Sequence, residues 1–117
     1  MPKATRLADI YLRYLSLKEA ITGLPTLAAL DPLEERILGL IARKAHEASR
    51  LSVRDVMSVE GLGSPATIHS RLKSLRKKGW IRLADTEDAR RKQVVLSPAA
   101  LKHFEKLSKC MLEAADL

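Results

Sequence analysis

The sequence predicts a mostly α protein with one small β-hairpin, and three observations carry that expectation. Helix-start signals recur along the 117 residues, at Asp31-Pro32-Leu33-Glu34, Ser52, Ser64-Pro65 and Ser97-Pro98. After each of them, apolar residues return at helical spacing. Only over 80–96 does the pattern change, to alternation in Trp80-Ile81-Arg82-Leu83 and then to the β-branched run Lys92-Gln93-Val94-Val95-Leu96, which reads as its antiparallel partner.

The elements follow in order. Residues 5–22 place Leu7, Ile10, Tyr11, Tyr14 and Leu17 or Lys18 on one side of an amphipathic helix. Gly23 to Leu30 is a connector. Asp31 caps a helix over 32–47, with proline at its first position, Glu34 placed to reach back, and Leu33, Ile37, Leu40 and Ile41 as its stripe. Ser52 caps a short helix with Val53, Val56 and Met57 on one face, and Gly61 is placed to end it. Ser64-Pro65 opens the next helix, with Ile68, Leu72 and Leu75 inward and Gly79 as its stop after Arg76-Lys77-Lys78. Ala84 to Arg91 is a polar loop, too long for a tight two-residue turn. Ser97-Pro98 opens a last helix, with Leu101, Phe104, Leu107, Met111 and Ala115 at helical spacing.

Composition narrows the function. Hydrophobic residues make up 46%, enough for a packed core, and with only four aromatics that core must be mostly Leu, Ile, Val and Ala. Ala20 to Leu30 is charge-free but short and broken by Gly23 and Pro25, so no membrane span is expected. Asp9 and Arg13 interrupt any signal-peptide core, and the chain reads as cytoplasmic. Cys110 is the single cysteine, which excludes an intrachain disulfide and a cysteine-cluster zinc site. It reads as a small buried or interface residue in preference to a redox switch. His46, His69 and His103 stand far apart, so no metal is expected, and no nucleotide, hydrolase or protease motif points to an enzyme or a cofactor. Nothing indicates a small-molecule effector.

The charge is concentrated. Of a net +7, six charges lie within residues 64–93. Such a stretch points to a polyanion. On a helical wheel the helix from Pro65 turns Ala66, Ser70, Lys73 and Lys77 away from Ile68, with His69 on a flank. Its exposed face starts small, which admits base edges, and becomes basic, which suits phosphates. A short helix, a glycine turn, this helix and a two-stranded ribbon together make a winged helix-turn-helix. Arg82 lies on the ribbon, and Arg90, Arg91 and Lys92 lie beyond its tip. An arginine there can enter a minor groove, and Asp88 is placed to orient it.

Residues 31–101 resemble the MarR-type winged-helix transcription regulators. The resemblance rests on Ser64-Pro65-Ala66-Thr67-Ile68, on Leu75-Arg76-Lys77-Lys78-Gly79-Trp80-Ile81, and on Asp88-Ala89-Arg90 followed by Val94, Leu96 and Ser97. It implies a homodimer on a palindromic operator in double-stranded DNA. It also implies Ala66, Thr67, Ser70 and Arg71 near major-groove bases or backbone, and Arg90 in the minor groove. Ser70 stands where the family often has arginine. The expected organisation is therefore a dimerisation helix and connector (1–30), a winged helix-turn-helix (31–97) and a second dimerisation helix (98–117). The expected DNA contacts are Ser64, Ala66, Thr67, His69, Ser70, Arg71, Lys73, Lys77, Arg82, Arg90, Arg91 and Lys92. The expected dimer contacts are Leu7, Ile10, Tyr14, Phe104, Leu107 and Met111, and the expected role is repression. The alternatives are a protein-interaction module for an acidic partner and a non-specific nucleic-acid binder.

Overall fold

The computed structural model describes residues 6–22, 27–87 and 90–116. Thr5, the first half of the connector, Asp88 and Ala89 therefore lie outside the described residues. The elements are α1 (Leu7–Thr22), α2 (Pro32–His46), α3 (Val53–Met57), α4 (Pro65–Lys77), β1 (Ile81–Asp85), β2 (Lys92–Leu96) and α5 (Pro98–Ala115). The chain divides into two compact units, residues 27–100 and residues 1–26 with 101–117.

The larger unit is a winged helix. Its core is aliphatic, with Ile37, Leu38 and Ile41 of α2, Val56 of α3, Ile68, Leu72 and Leu75 of α4, and Ile81 and Val94 of the hairpin. Serine caps fix where its helices start. Ser52 and Asp55 form a reciprocal capping box, and Ser64 accepts from the Thr67 N–H. The α4 helix stops at a Schellman turn. Gly79 has φ +89°, the Trp80 N–H donates to the Leu75 carbonyl, and the Gly79 N–H donates to that of Arg76.

Two expectations are corrected. The short helix α3 ends at the Ser58 cap, three residues before Gly61, because the Ser58 N–H and hydroxyl both bond the Arg54 carbonyl. Gly61 does take a positive φ, but inside the turn to α4. The wing loop is shorter than Ala84 to Arg91. Ala84 and Asp85 belong to β1, in register with Gln93 and Lys92, and an Asp85–Lys92 ion pair closes the ladder.

The start of α2 does more than cap. Asp31 Oδ1 accepts from the Glu34 N–H at 2.7 Å, and Glu34 Oε1 accepts from the Asp31 N–H at 2.8 Å. The same two carboxylates reach α4 and its cap. Asp31 Oδ2 lies 2.8 Å from Arg71 Nε, a charge contact without a directed hydrogen bond, and Glu34 Oε1 lies 2.7 Å from Lys78 Nζ. Glu34 is 1% exposed. Burial would raise its pKa, but hydrogen bonds from Lys78 and the Asp31 N–H, the neighbouring Ser74 hydroxyl and the Lys78 charge bring it down to about 2. The connector end is docked as well. Lys78 donates to the Ala29 carbonyl at 2.9 Å, and Trp80 Nε1 donates to that of Ala28 at 2.9 Å.

In the smaller unit, α1 and the C-terminal part of α5 are tied by Arg13, whose guanidinium donates to the carbonyls of Glu113 and Asp116 at 3.3 Å each. Cys110 and Ala114 form the buried face of α5. No described helix is long and apolar enough to cross a membrane.

Two stability predictions follow from these caps. Folding lowers the Glu34 pKa from 4.5 to about 2, so its stabilisation is complete above pH 4.5 and is lost as pH falls from there towards 2. A gap of that size corresponds to about 3 kcal/mol. Glu34→Gln keeps the acceptor for the Asp31 N–H but not the ion pair. Urea unfolding should show it about 2 kcal/mol less stable at pH 7, with the difference shrinking below pH 4. An equal deficit at both pH values would contradict the assignment. Ala48 follows α2 with φ +58°, a conformation that favours glycine. Ala48→Gly should raise stability by about 0.5–1 kcal/mol, read from the denaturation midpoint.

Candidate nucleic-acid interface

One helix carries two kinds of cation. On the flank of α4 and its cap that faces α2, Arg71 meets Asp31 and Lys78 meets Glu34. On the outward side, Lys73, Arg76 and Lys77 are exposed, and no acid pairs with them among the described residues. The sorting follows from spacing. Arg71 and Lys78 are seven residues apart and share a face, whereas Lys73 and Lys77 are four apart on the opposite one. Lys73, Ser74, Arg76 and Lys77 line one shallow groove along the helix.

The start of α4 is small and exposed. Ser64, Pro65, Ala66, Thr67, His69 and Ser70 all face solvent. Ser64 Oγ and Thr67 Oγ1 lie 2.9 Å apart, so these two hydroxyls are held in a local cap. Ala66 and Ser70 leave the backbone open to a close partner. Arg71, expected with them, is half-buried and held by Asp31, so its first task is to fix α4 on α2.

The wing is anchored at its base. The Val94 N–H donates to the Leu51 carbonyl at 2.7 Å, and Ser52 pairs with Gln93 as an isolated bridge. Residues 51–52 thus extend the hairpin on its β2 side, which periodicity could not reveal. Thr86 Oγ1 closes the loop by donating to the Arg91 carbonyl at 2.7 Å. Arg82 is exposed on β1, and Arg90 is exposed near the tip. Lys92 lies on β2 with its ammonium on Asp85. Arg91 lines a cleft at the wing base with Arg50, Ser52, Asp55 and Glu87, and its charge helps lower the Asp55 pKa after the bonds from Ser52. Asp88, the expected orienting acid, lies outside the described residues.

Of the expected dimer contacts, Leu7 and Met111 are exposed, while Ile10, Tyr14, Phe104 and Leu107 are half-buried. Tyr11, which belongs to the expected stripe but not to the expected dimer contacts, is exposed too, as are Leu12 and Leu112, which were not singled out from the sequence. Arg76 was also missed. In the sequence it reads as a helix-end charge, and only its lack of an acidic partner among the described residues marks it out.

A family model described as "LexA DNA binding domain" matches residues 30–91. The chain belongs to that family. The match covers the helix-turn-helix and the first half of the wing, so the basic face of α4 lies within the LexA-type domain. None of the curated proteins matches the chain. Solved structures share the fold. A MepR–DNA complex from S. aureus is 20% identical, covers 92% of this chain and 80% of its own, and gives a TM-score of 0.58. MepR bound to ethidium bromide is 18% identical, with 91% and 69% covered and a TM-score of 0.62. The transcriptional regulator Tm0710 from Thermotoga maritima is 13% identical, with 89% and 66% covered and a TM-score of 0.58. These likenesses establish the winged-helix fold of the LexA-type domain.

Lys77 offers the cleanest test of the interface, since it is exposed and no described acid pairs with it. Lys77→Ala should weaken binding to all duplexes alike and lower the slope of log K against log salt by about 0.9. Fluorescence anisotropy on a short mixed-sequence duplex across a salt series reads both. A changed sequence preference with an unchanged slope would contradict a phosphate contact.

Proposed function

We propose that this chain is a MarR-type transcription regulator that binds a palindromic operator in double-stranded DNA as a homodimer, and that it represses by occluding that site. The observation that carries this reading is the division of α4. One flank is locked to α2 by Asp31 and Glu34, and the other presents small residues followed by cations without acidic partners among the described residues. A rigidly held helix with such a face suits a major groove, with Ala66 and Ser70 admitting base edges and Lys73 and Lys77 on phosphates. Arg90 supplies the minor-groove contact of the wing, oriented by Asp88. The resemblance in the wing and the shared fold with a DNA-bound MepR support the same reading.

Homodimerisation is supported by the smaller unit. Leu7 is 83% exposed, Tyr11 60% and Leu112 73%, on two helices that also expose Leu12 and Met111. That much apolar surface on so short a pair of helices calls for a partner, and a second copy matches the twofold symmetry of a palindrome.

Selection of bound duplexes from a random pool tests the function. An enriched palindrome is the expected result. Retention without sequence preference would favour non-specific binding, and no retention would favour the basic face as a docking site for an acidic protein. In parallel, sedimentation should give about twice the 13.0 kDa chain mass, and a Tyr11→Glu, Met111→Glu double variant should sediment as a monomer.

A further inference from the structure

Arg76, in the last turn of α4, and Arg82, on β1, line one groove whose remaining wall is Gly79, Ile81, Leu83 and Ser97. Among the described residues, no carboxylate lines it. Neither guanidinium has a hydrogen bond or ion pair among the described residues. Ser97 brings no free donor, because its hydroxyl donates to the Gly79 carbonyl at 2.6 Å and accepts from the Ala100 N–H at 3.0 Å. The side-chain donors available to a guest are therefore the two guanidinium forks. Acids are not scarce nearby. Asp31 and Glu34 meet the cations on the other flank, and Asp85, on the same strand as Arg82, is engaged by Lys92. Two like charges in one groove repel each other unless an anion sits between them.

The place of this groove matters. Arg76 also lines the groove of Lys73 and Lys77, so one acid-free track runs from the outer face of α4 to the start of the hairpin. A DNA strand passing from a major groove filled by α4 to a minor groove beside the wing must cross the gap between helix and hairpin. Its phosphates pass over that gap. Guanidinium forks hold such oxygens with fixed geometry, which an ammonium does not.

We infer that Arg76 and Arg82 together seat one phosphodiester of the duplex backbone at the crossing between α4 and the hairpin. This rests on the DNA-binding reading above and adds to it a contact shared by two elements. The seat fixes the angle at which the hairpin meets the duplex, because one phosphate is held from both sides.

The test uses the full chain and a duplex recovered from the random pool, with single phosphates replaced in turn by neutral methylphosphonate. The wild-type chain should lose roughly five- to tenfold in affinity at one position per half-site. The Arg76→Gln, Arg82→Gln double variant should lose nothing further at that position. Because the two residues share one phosphate, the double variant should lower the salt slope by about 0.9. Circular dichroism checks its fold, and both residues are exposed, so folding should be intact. A slope lowered by about twice that amount, or two separate sensitive positions, would mean two independent contacts and would overturn the shared seat. An unchanged slope would remove the seat while leaving DNA binding by the remaining residues in place. Saturable binding of inorganic phosphate, lost in the double variant without any change in slope, would assign the groove to a free anion instead. A wild-type chain that retains no duplex would overturn the DNA reading and the seat together.

Discussion

The two acids that cap α2 hold the rest of the winged helix in place. Asp31 and Glu34 satisfy each other's backbone N–H groups, as a capping box does, and each has a carboxylate oxygen within pairing distance of a cation on α4 or its cap. The geometry is a two-pronged clamp. Positions three apart at the start of one helix meet positions seven apart on the other, so α4 is fixed both in rotation and along its axis. Van der Waals packing of Ile37, Ile41, Ile68 and Leu75 tolerates small slips. A nearly dry carboxylate against an ammonium does not, because losing its partner would leave a charge without water or counter-charge.

The clamp also decides which charges are left over. Arg71 and Lys78 are engaged by the protein's own acids, and Asp85 engages Lys92 at the hairpin end. What remains outward includes Arg90 and Arg91 of the wing and a track formed by Lys73, Arg76, Lys77 and Arg82. The excess of positive charge in 64–93 is therefore divided by function. Part of it holds the fold together, and part projects from it. A count of charges cannot make that division, because it requires knowing which cation stands across from which acid.

The docked strap is a second consequence of the same corner. The carbonyls of Ala28 and Ala29 receive the Trp80 indole and the Lys78 ammonium, close to the glycine that ends α4. The helix end, the strand start and the entry to α2 thus share one small polar cluster. Gly79 belongs there for a local reason as well as a spatial one. Its positive φ lets the chain reverse into β1, and a Cβ on it would stand 3.3 Å from Leu27. Helix termination and strap docking are solved by one residue without a side chain.

Much of this was legible in the sequence, and the reasons are local. Caps at Asp31, Ser52, Ser64 and Ser97 announced where helices begin, because a cap bonds residues two or three positions away. Alternation at 80–83 and β-branched residues at 92–96 announced the hairpin, and the small-then-basic face of α4 followed from a helical wheel. What the sequence could not disclose was pairing at long range. Glu34 read as a cap and Lys78 as a helix-end charge, yet their ion pair spans 44 residues. Arg71 read as a contact to DNA, while its nearest acid is forty positions earlier. Arg76 was passed over, because having no acidic partner among the described residues is a property of its surroundings and not of its spacing. Leu51 and Ser52 gave no sign of adding to β2. The sequence by itself determined which elements form, through interactions that reach a turn or less along the chain. Only the tertiary structure decided which charges meet, because that depends on residues that folding alone brings together.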